Sequence, residues 1–149
     1  MGAIRGIDCK IYLNTGTHGT PTWVEWLCAR DSTFSLTFEE ADATCRGSGG
    51  YRQSAITLSS IEVTGSAIKE KDDATFLLME AAAVAKDVID ILVMDGTRLL
   101  DESDGWRLQA QFFSWVENQA FEDIVTIDWT LKPARDSNAP VQFTGTTPP

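Results

Sequence analysis

The only histidine of this chain, His18, lies in a run of glycine and threonine, Thr17-His18-Gly19-Thr20. An imidazole becomes a catalyst or a metal ligand when other side chains orient it, and the neighbouring sequence offers none. The three cysteines, Cys9, Cys28 and Cys45, form no Cys-x-x-Cys pair, so a structural zinc site has no frame. The carboxylate pairs Glu39/Glu40, Asp72/Asp73 and Glu122/Asp123 are adjacent in sequence. On a strand, adjacent side chains point to opposite faces, so adjacency does not make an acid–base pair. Nothing singles out two distant carboxylates for glycosidase chemistry. The run Arg46-Gly47-Ser48-Gly49-Gly50 lacks the Gly-Lys-Ser/Thr ending of a phosphate loop and does not lead into a helix pattern. Five tryptophans suggest a carbohydrate platform. Of these, Trp115 and Trp129 fall in strand patterns and read as core, while Trp23 and Trp26 flank a strand start and suit a subunit contact. No catalytic residue, metal site or cofactor is expected, and the chain does not read as an enzyme.

The 149 residues fit one domain, and 43% hydrophobic with 23% charged residues is ordinary globular composition. No apolar run has the length of a membrane span, and residues 1–10 lack the pattern of a signal peptide. The expectation is a protein made in the cytoplasm with reduced thiols, Cys9 and Cys28 in the core and Cys45 exposed in a polar loop. A net charge of −10 speaks against a protein that grips nucleic acid, which needs a basic face. It is compatible with a surface past which nucleic acid slides.

The elements that would position these residues are mostly strands. Residues 8–13 alternate with Cys9, Ile11 and Leu13 on one side, and residues 33–38 set Phe34, Leu36 and Phe38 against Thr33, Ser35 and Thr37. Residues 54–68 read as a long strand pair or one bent strand, because the apolar phase changes between Ile56/Leu58 and Ile61/Val63, which implies a bulge or bend; Gly65 adds to it. One helix spans 72–86, started by Asp72 or Asp73, with an apolar stripe of Ala74, Leu77, Leu78, Ala81, Ala82 and Ala85. Strands follow over 88–94, over 106–117 with a phase shift at Phe113 and Trp115, and over 124–131, ended by Pro133. Two long irregular stretches, 14–22 and 39–53, stand out, because loops of that length are uncommon in a compact domain and are usually functional or disordered. The fold class expected is mainly β: a β-sandwich or barrel-forming domain over residues 1–133 with one flanking helix and a long inter-strand loop. Residues 134–149, rich in Pro, Thr and Ser, read as a flexible tail.

The order of these features resembles the major tail tube proteins of long-tailed bacteriophages, the lambda-like and lactococcal-phage-like group. The resemblance is carried by Arg30-Asp31, the alternating strand 33–38, and then Glu40-Ala41-Asp42-Ala43-Thr44-Cys45-Arg46 followed by Gly49-Gly50-Tyr51-Arg52. Lys10-Ile11-Tyr12-Leu13-Asn14-Thr15-Gly16, Pro21-Thr22-Trp23 and the closing stretch 126–133 fit the same order. The resemblance covers roughly residues 8–133. It implies a subunit that closes in sixes into a ring and stacks into a tube in the virion tail, assembled in the host cytoplasm. The tube conducts DNA and, before it, the tape measure protein; tail terminator and distal tail proteins would be further partners, with no membrane involved. The loop is then an assembly contact carried by Asp42, Arg46, Tyr51 and Arg52. Strands with one apolar and one polar face suit a wet lumen. Ser35, Thr37, Gln109, Gln111, Thr126 and Asp128 are the residues expected to face it. The inner tube of a contractile injection system or of a gene-transfer particle is a related alternative. A carbohydrate-binding acidic β-sandwich is the alternative of another class.

Overall fold

The computed structural model describes residues 3–96, 104–135 and 138–143. Its strands are β1 (Lys10–Asn14), β2 (Trp23–Glu25), β3 (Ala29–Asp42), β4 (Ser54–Ile68), β5 (Ile89–Met94), β6 (Gly105–Asn118), β7 (Thr126–Pro133) and β8 (Val141–Phe143), with one helix, α1 (Ala74–Ala85). All eight strands belong to one antiparallel sheet in the order β2-β1-β5-β6-β7-β4-β3, with β8 on the β6 edge beyond the end of β7. The sheet is open, and it bends so that its halves face each other over the main core, while a smaller cluster of Tyr12, Leu92 and Met94 with Trp23 lies on the other face of β1 and β5. Phe34 of β3 stacks on Trp106 of β6 with ring centroids 5.3 Å apart, and Trp26 meets Trp129 of β7 at the same separation. Ile11, Leu13, Val63, Ile91, Leu108, Ile127 and Leu131 fill the space between.

Two of the phase changes in the sequence are bulges. The β3–β4 ladder shifts between Phe38/Ser59 and Glu40/Ile56, where β4 carries the extra residue, and the β6–β7 ladder shifts at Phe112/Ser114. A third shift, between Ala29 and Ser32, lies beside Gly65. A Cβ on Gly65 would meet the Asp31 carbonyl oxygen at 2.2 Å and Trp129 at 2.8 Å, so only glycine admits this close approach.

Helix α1 begins where Asp73 accepts a hydrogen bond from the Thr75 N–H, and it ends at Lys86 in a left-handed conformation (φ 61°). Its inward side is Phe76, Met79 and Ala82, with Phe76 against Trp115. The stripe expected to face the core is displaced: of its members only Ala82 is buried, and Ala74, Leu77, Leu78, Ala81 and Ala85 are exposed. Glu80 apart, the helix carries apolar residues on its outer side as well as its inner one, so periodicity could not choose its inner face. Cys28 is buried as expected, whereas Cys9 is exposed, because it precedes β1 outside the closed part of the sheet. Trp26 is core rather than a contact residue. Within the segment 134–149, read as a tail, Val141–Phe143 pairs with Gly105–Arg107; residues 136, 137 and 144–149 lie outside the described residues.

Candidate assembly loop and polar sheet face

The stretch 39–53 is shorter as a loop than its sequence suggests, because β3 and β4 stay paired out to Asp42 and Ser54. Beyond them the chain closes on itself. Ala43 N–H donates to the Gln53 carbonyl at 2.9 Å, and Gln53 N–H donates to Thr44 Oγ1 at 2.9 Å. A short 3-10 turn, Arg46–Ser48, is tied by Cys45 N–H to Ser48 Oγ at 3.0 Å, and Gly49 (φ 66°) and Gly50 (φ 85°) turn the chain back. The Ser48 hydroxyl, with the Gly47 and Ser48 N–H groups, lowers the Cys45 thiol from its usual range. Asp42 is spent locally: its carboxylate accepts from Thr44, which holds it below the ordinary carboxylate range. Arg46, Tyr51 and Arg52 point outward, with Tyr51 78% exposed.

The register places all six residues expected at a lumen on one face, opposite the core. Phe34 faces Val63, and Val63 faces Leu131, on the core side. One residue along, Ser35 faces Glu62, Thr37 faces Ser60, Asp128 faces Ser66, and Thr126 faces Ile68 on the other side. On β6, Leu108 and Ala110 are core, so Gln109 and Gln111 share the outer face. Between them runs a row that the sequence reading passed over: Thr33, Thr64, Thr130 and Ser114 lie side by side across four strands. Its signal was the hydroxyl alternation, but the register that aligns the four is not readable from one sequence. Three of the six residues are engaged. Gln111 donates to the Lys86 carbonyl at the helix end at 2.8 Å, Gln109 accepts from Asn138 N–H at 2.8 Å, and Asp128 accepts from Asn118 at 2.7 Å. Gln109 and Gln111 thereby sit at the border of the polar face, under the returning C-terminal segment and the helix end.

The structure also assembles a cluster that lay scattered in the sequence. Arg107 and Asp90 form a buried two-pronged ion pair, Nη2 to Oδ2 at 2.6 Å and Nε to both carboxylate oxygens at 3.2 Å. Arg107 Nη2 also donates to the His18 carbonyl at 2.8 Å and lies 3.1 Å from His18 Nδ1, which is 3.3 Å from Asp90 Oδ2. One nitrogen cannot both accept from the guanidinium and donate to the carboxylate, so the tautomer selects one bond. Asn14 completes the arrangement: its Oδ1 accepts from Gly16 and Thr22 N–H, and its Nδ2 donates to Asp90 and to the Thr17 carbonyl. The guanidinium stands 5.2 Å from the centre of the Trp23 ring. The 14–22 stretch, read as irregular, is therefore pinned to the sheet. His18, read as a loop histidine without partners, gains them from 72 and 89 residues away. These groups hold a loop; the hydrogen-bonded set contains no hydroxyl or thiol nucleophile. Among the described residues, no three or more potential ligands gather as a metal site.

No family model matches the chain, and no curated protein sequence is similar to it. Solved structures are. A chain in the virion of a native gene transfer agent particle superposes with a TM-score of 0.74 at 16% identity, over 95% of this chain and 100% of that one. A chain in the tail of an empty particle of the same kind, refined with C6 symmetry, gives 0.72 at 17% identity over 91% and 98%. The SPP1 tail tube gives 0.73 at 14% identity, covering 95% of this chain and 80% of that one. The chain has the tail tube fold. A chain of the anti-feeding prophage baseplate is more distant, with a TM-score of 0.59 at 10% identity.

Proposed function

We propose that this chain is the repeating structural subunit of a tail tube. Six copies close into a ring, and rings stack into a conduit through which DNA leaves the particle. The observation that carries this reading is the end-to-end match to the gene transfer agent chain, together with a tail of that kind built on sixfold symmetry. The polar face supports it physically. A lumen wall must be wet on one side and apolar on the other, and the face holding Ser35, Thr37, Thr126 and Asp128 is mostly hydroxyls and amides with few charges, interrupted by Ile68 and Val116 beside Thr126 and Asp128. Few basic groups on that face and a net charge of −10 leave DNA phosphates little to bind. On this reading Ser35, Thr37, Thr126 and Asp128 line the pore, with Gln109 and Gln111 at its margin.

The hairpin tip, with Arg46, Tyr51 and Arg52, is the contact to another subunit, and Asp42 shapes the turn that presents it. A tape measure protein within the tube, and tail terminator and distal tail proteins at its ends, are the partners this role requires. The place of action is the particle tail, after assembly in the host cytoplasm. The carbohydrate-module reading loses its platform, because all five tryptophans are buried or half-buried. Negative-stain microscopy of the purified protein tests the proposal. Sixfold rings or hollow tubes are expected; a persistent monomer with saturable sugar binding would overturn it.

A further inference from the structure

Three features of the described surface are unexplained by the single subunit. The first is the hairpin. Strand β4 pairs with β7 only from Val63 to Ile68, but with β3 as far as Ser54, so a two-stranded ribbon about 30 Å long stands clear of the sheet. Such a ribbon is marginal in water by itself. The bulge after Phe38 brings Ile56 opposite Glu40, onto the side that carries Leu36 and Phe38. Phe38, Ile56 and Leu58 are 55%, 70% and 62% exposed. The second feature is α1, whose outward side is Leu77, Leu78, Ala81, Val84 and Ala85, with Val84 77% exposed. Apart from Glu80 at its border, this outer side is as apolar as the inner one, and the sheet covers only the inner one.

The third feature is charge. In a chain of net charge −10, residues 43–53 hold two arginines, Arg46 and Arg52, and no acid. The approach to α1 and the helix itself hold Glu70, Asp72, Asp73 and Glu80; of the nearby lysines, Lys69 is taken by Glu117 at 2.9 Å, which leaves Lys71. The spacings agree as well. Arg52 precedes Ile56 by about 13 Å of extended chain, and Asp73 precedes Ala81 by about 12 Å of helix.

We propose that the hairpin of one copy lies on the outer face of α1 of a second copy, apolar side to apolar side, with Arg46 and Arg52 at the acidic start of the helix. This rests on the self-assembling reading above and adds which two surfaces meet. Each copy offers one hairpin and one helix face, so the contact is heterologous and repeats around a ring or along a stack. The two surfaces hide each other's apolar groups, and the basic tip offsets part of the repulsion between acidic subunits.

Cysteine cross-linking between two differently labelled copies decides it. In a Cys9→Ser, Cys45→Ser background, copies with Ile56→Cys or Phe38→Cys are mixed with copies with Leu78→Cys or Val84→Cys, assembled, and treated with a short bis-maleimide. All four positions are solvent-exposed, so the fold is not at stake. The expected product is a dimer with one copy of each kind, lost with Arg46→Glu plus Arg52→Glu and recovered when Asp72→Lys and Glu80→Lys are added. Rings or tubes without that mixed dimer would overturn the docking and leave the tube reading standing. Failure to assemble in the unsubstituted protein would overturn both.

Discussion

Arg107 and Asp90 show how one pair of side chains holds an otherwise irregular stretch. Their charges are buried, and they are met by each other, by the 14–22 loop and, for Arg107, by the Trp23 ring. Removing one partner leaves an uncompensated buried charge, so Arg107→Ala or Asp90→Asn should cost about 3–5 kcal/mol in urea unfolding. His18→Ala should cost far less, because the carbonyl bond to Arg107 survives. Gly65→Ala should cost about 1–3 kcal/mol, because the new methyl collides with the Asp31 carbonyl and the Trp129 ring; thermal melts check this. Cys28 makes a pH prediction. Burial, and then its hydrogen bonds to Asp73 and Glu70, push its thiol up to about 12. The folded state holds the proton more tightly than the unfolded chain does, so this contribution is full below about pH 9 and fades as pH rises towards 12. Between pH 9 and 11 the wild type should therefore lose more stability than Cys28→Ala does. In the native protein at neutral pH, maleimide should label Cys45 and leave Cys28 untouched.

At the level of elements, β7 and the paired parts of β3 and β4 were legible because each has a buried and a wetter side, whereas β1 and β5 are buried on both faces through Ile11, Tyr12 and Leu13 and through Asp90, Ile91 and Leu92. Residues 54–68, read as a strand pair or one bent strand, form a single strand, and the phase changes near Leu58 and Phe113 are bulges. The helix was legible from Asp73 and its propensities, but its orientation was not, because Leu77, Leu78 and Val84 are as apolar as Phe76 and Met79. The polar face was half legible. Alternation gave Ser35, Thr37, Thr126 and Asp128, while alignment of Thr33, Thr64, Thr130 and Ser114 depends on register, which long-range pairing sets. The His18–Asp90–Arg107 cluster was invisible, because its members come from three segments that only the fold brings together. A prediction belongs to the polar face. Ser35→Lys with Asp128→Lys should leave folding unchanged, since both positions lie on the face away from the core, yet assembled tubes should then retain DNA in a salt-dependent way. A filter-binding assay at low and high salt reads this out, and salt-independent retention would contradict it.

For the whole molecule, on the proposed reading, the features that look wasteful in one copy are those an assembly would use: an open sheet, a projecting ribbon, a helix with an apolar outer side as well as an inner one, and an arginine-bearing tip on an acidic chain. A sheet with open edges invites pairing, and closure with neighbours removes those edges. The central claim is that six copies form a ring whose wall is the face carrying Ser35, Thr37, Thr126 and Asp128. A cryo-microscopy reconstruction of tubes formed by the purified protein tests it most directly. The account predicts sixfold symmetry, with these four side chains turned to the lumen and α1 on the far side of the core. Tubes in which that face packs against a neighbour or faces the outside, or a protein that stays monomeric at all concentrations, would contradict it.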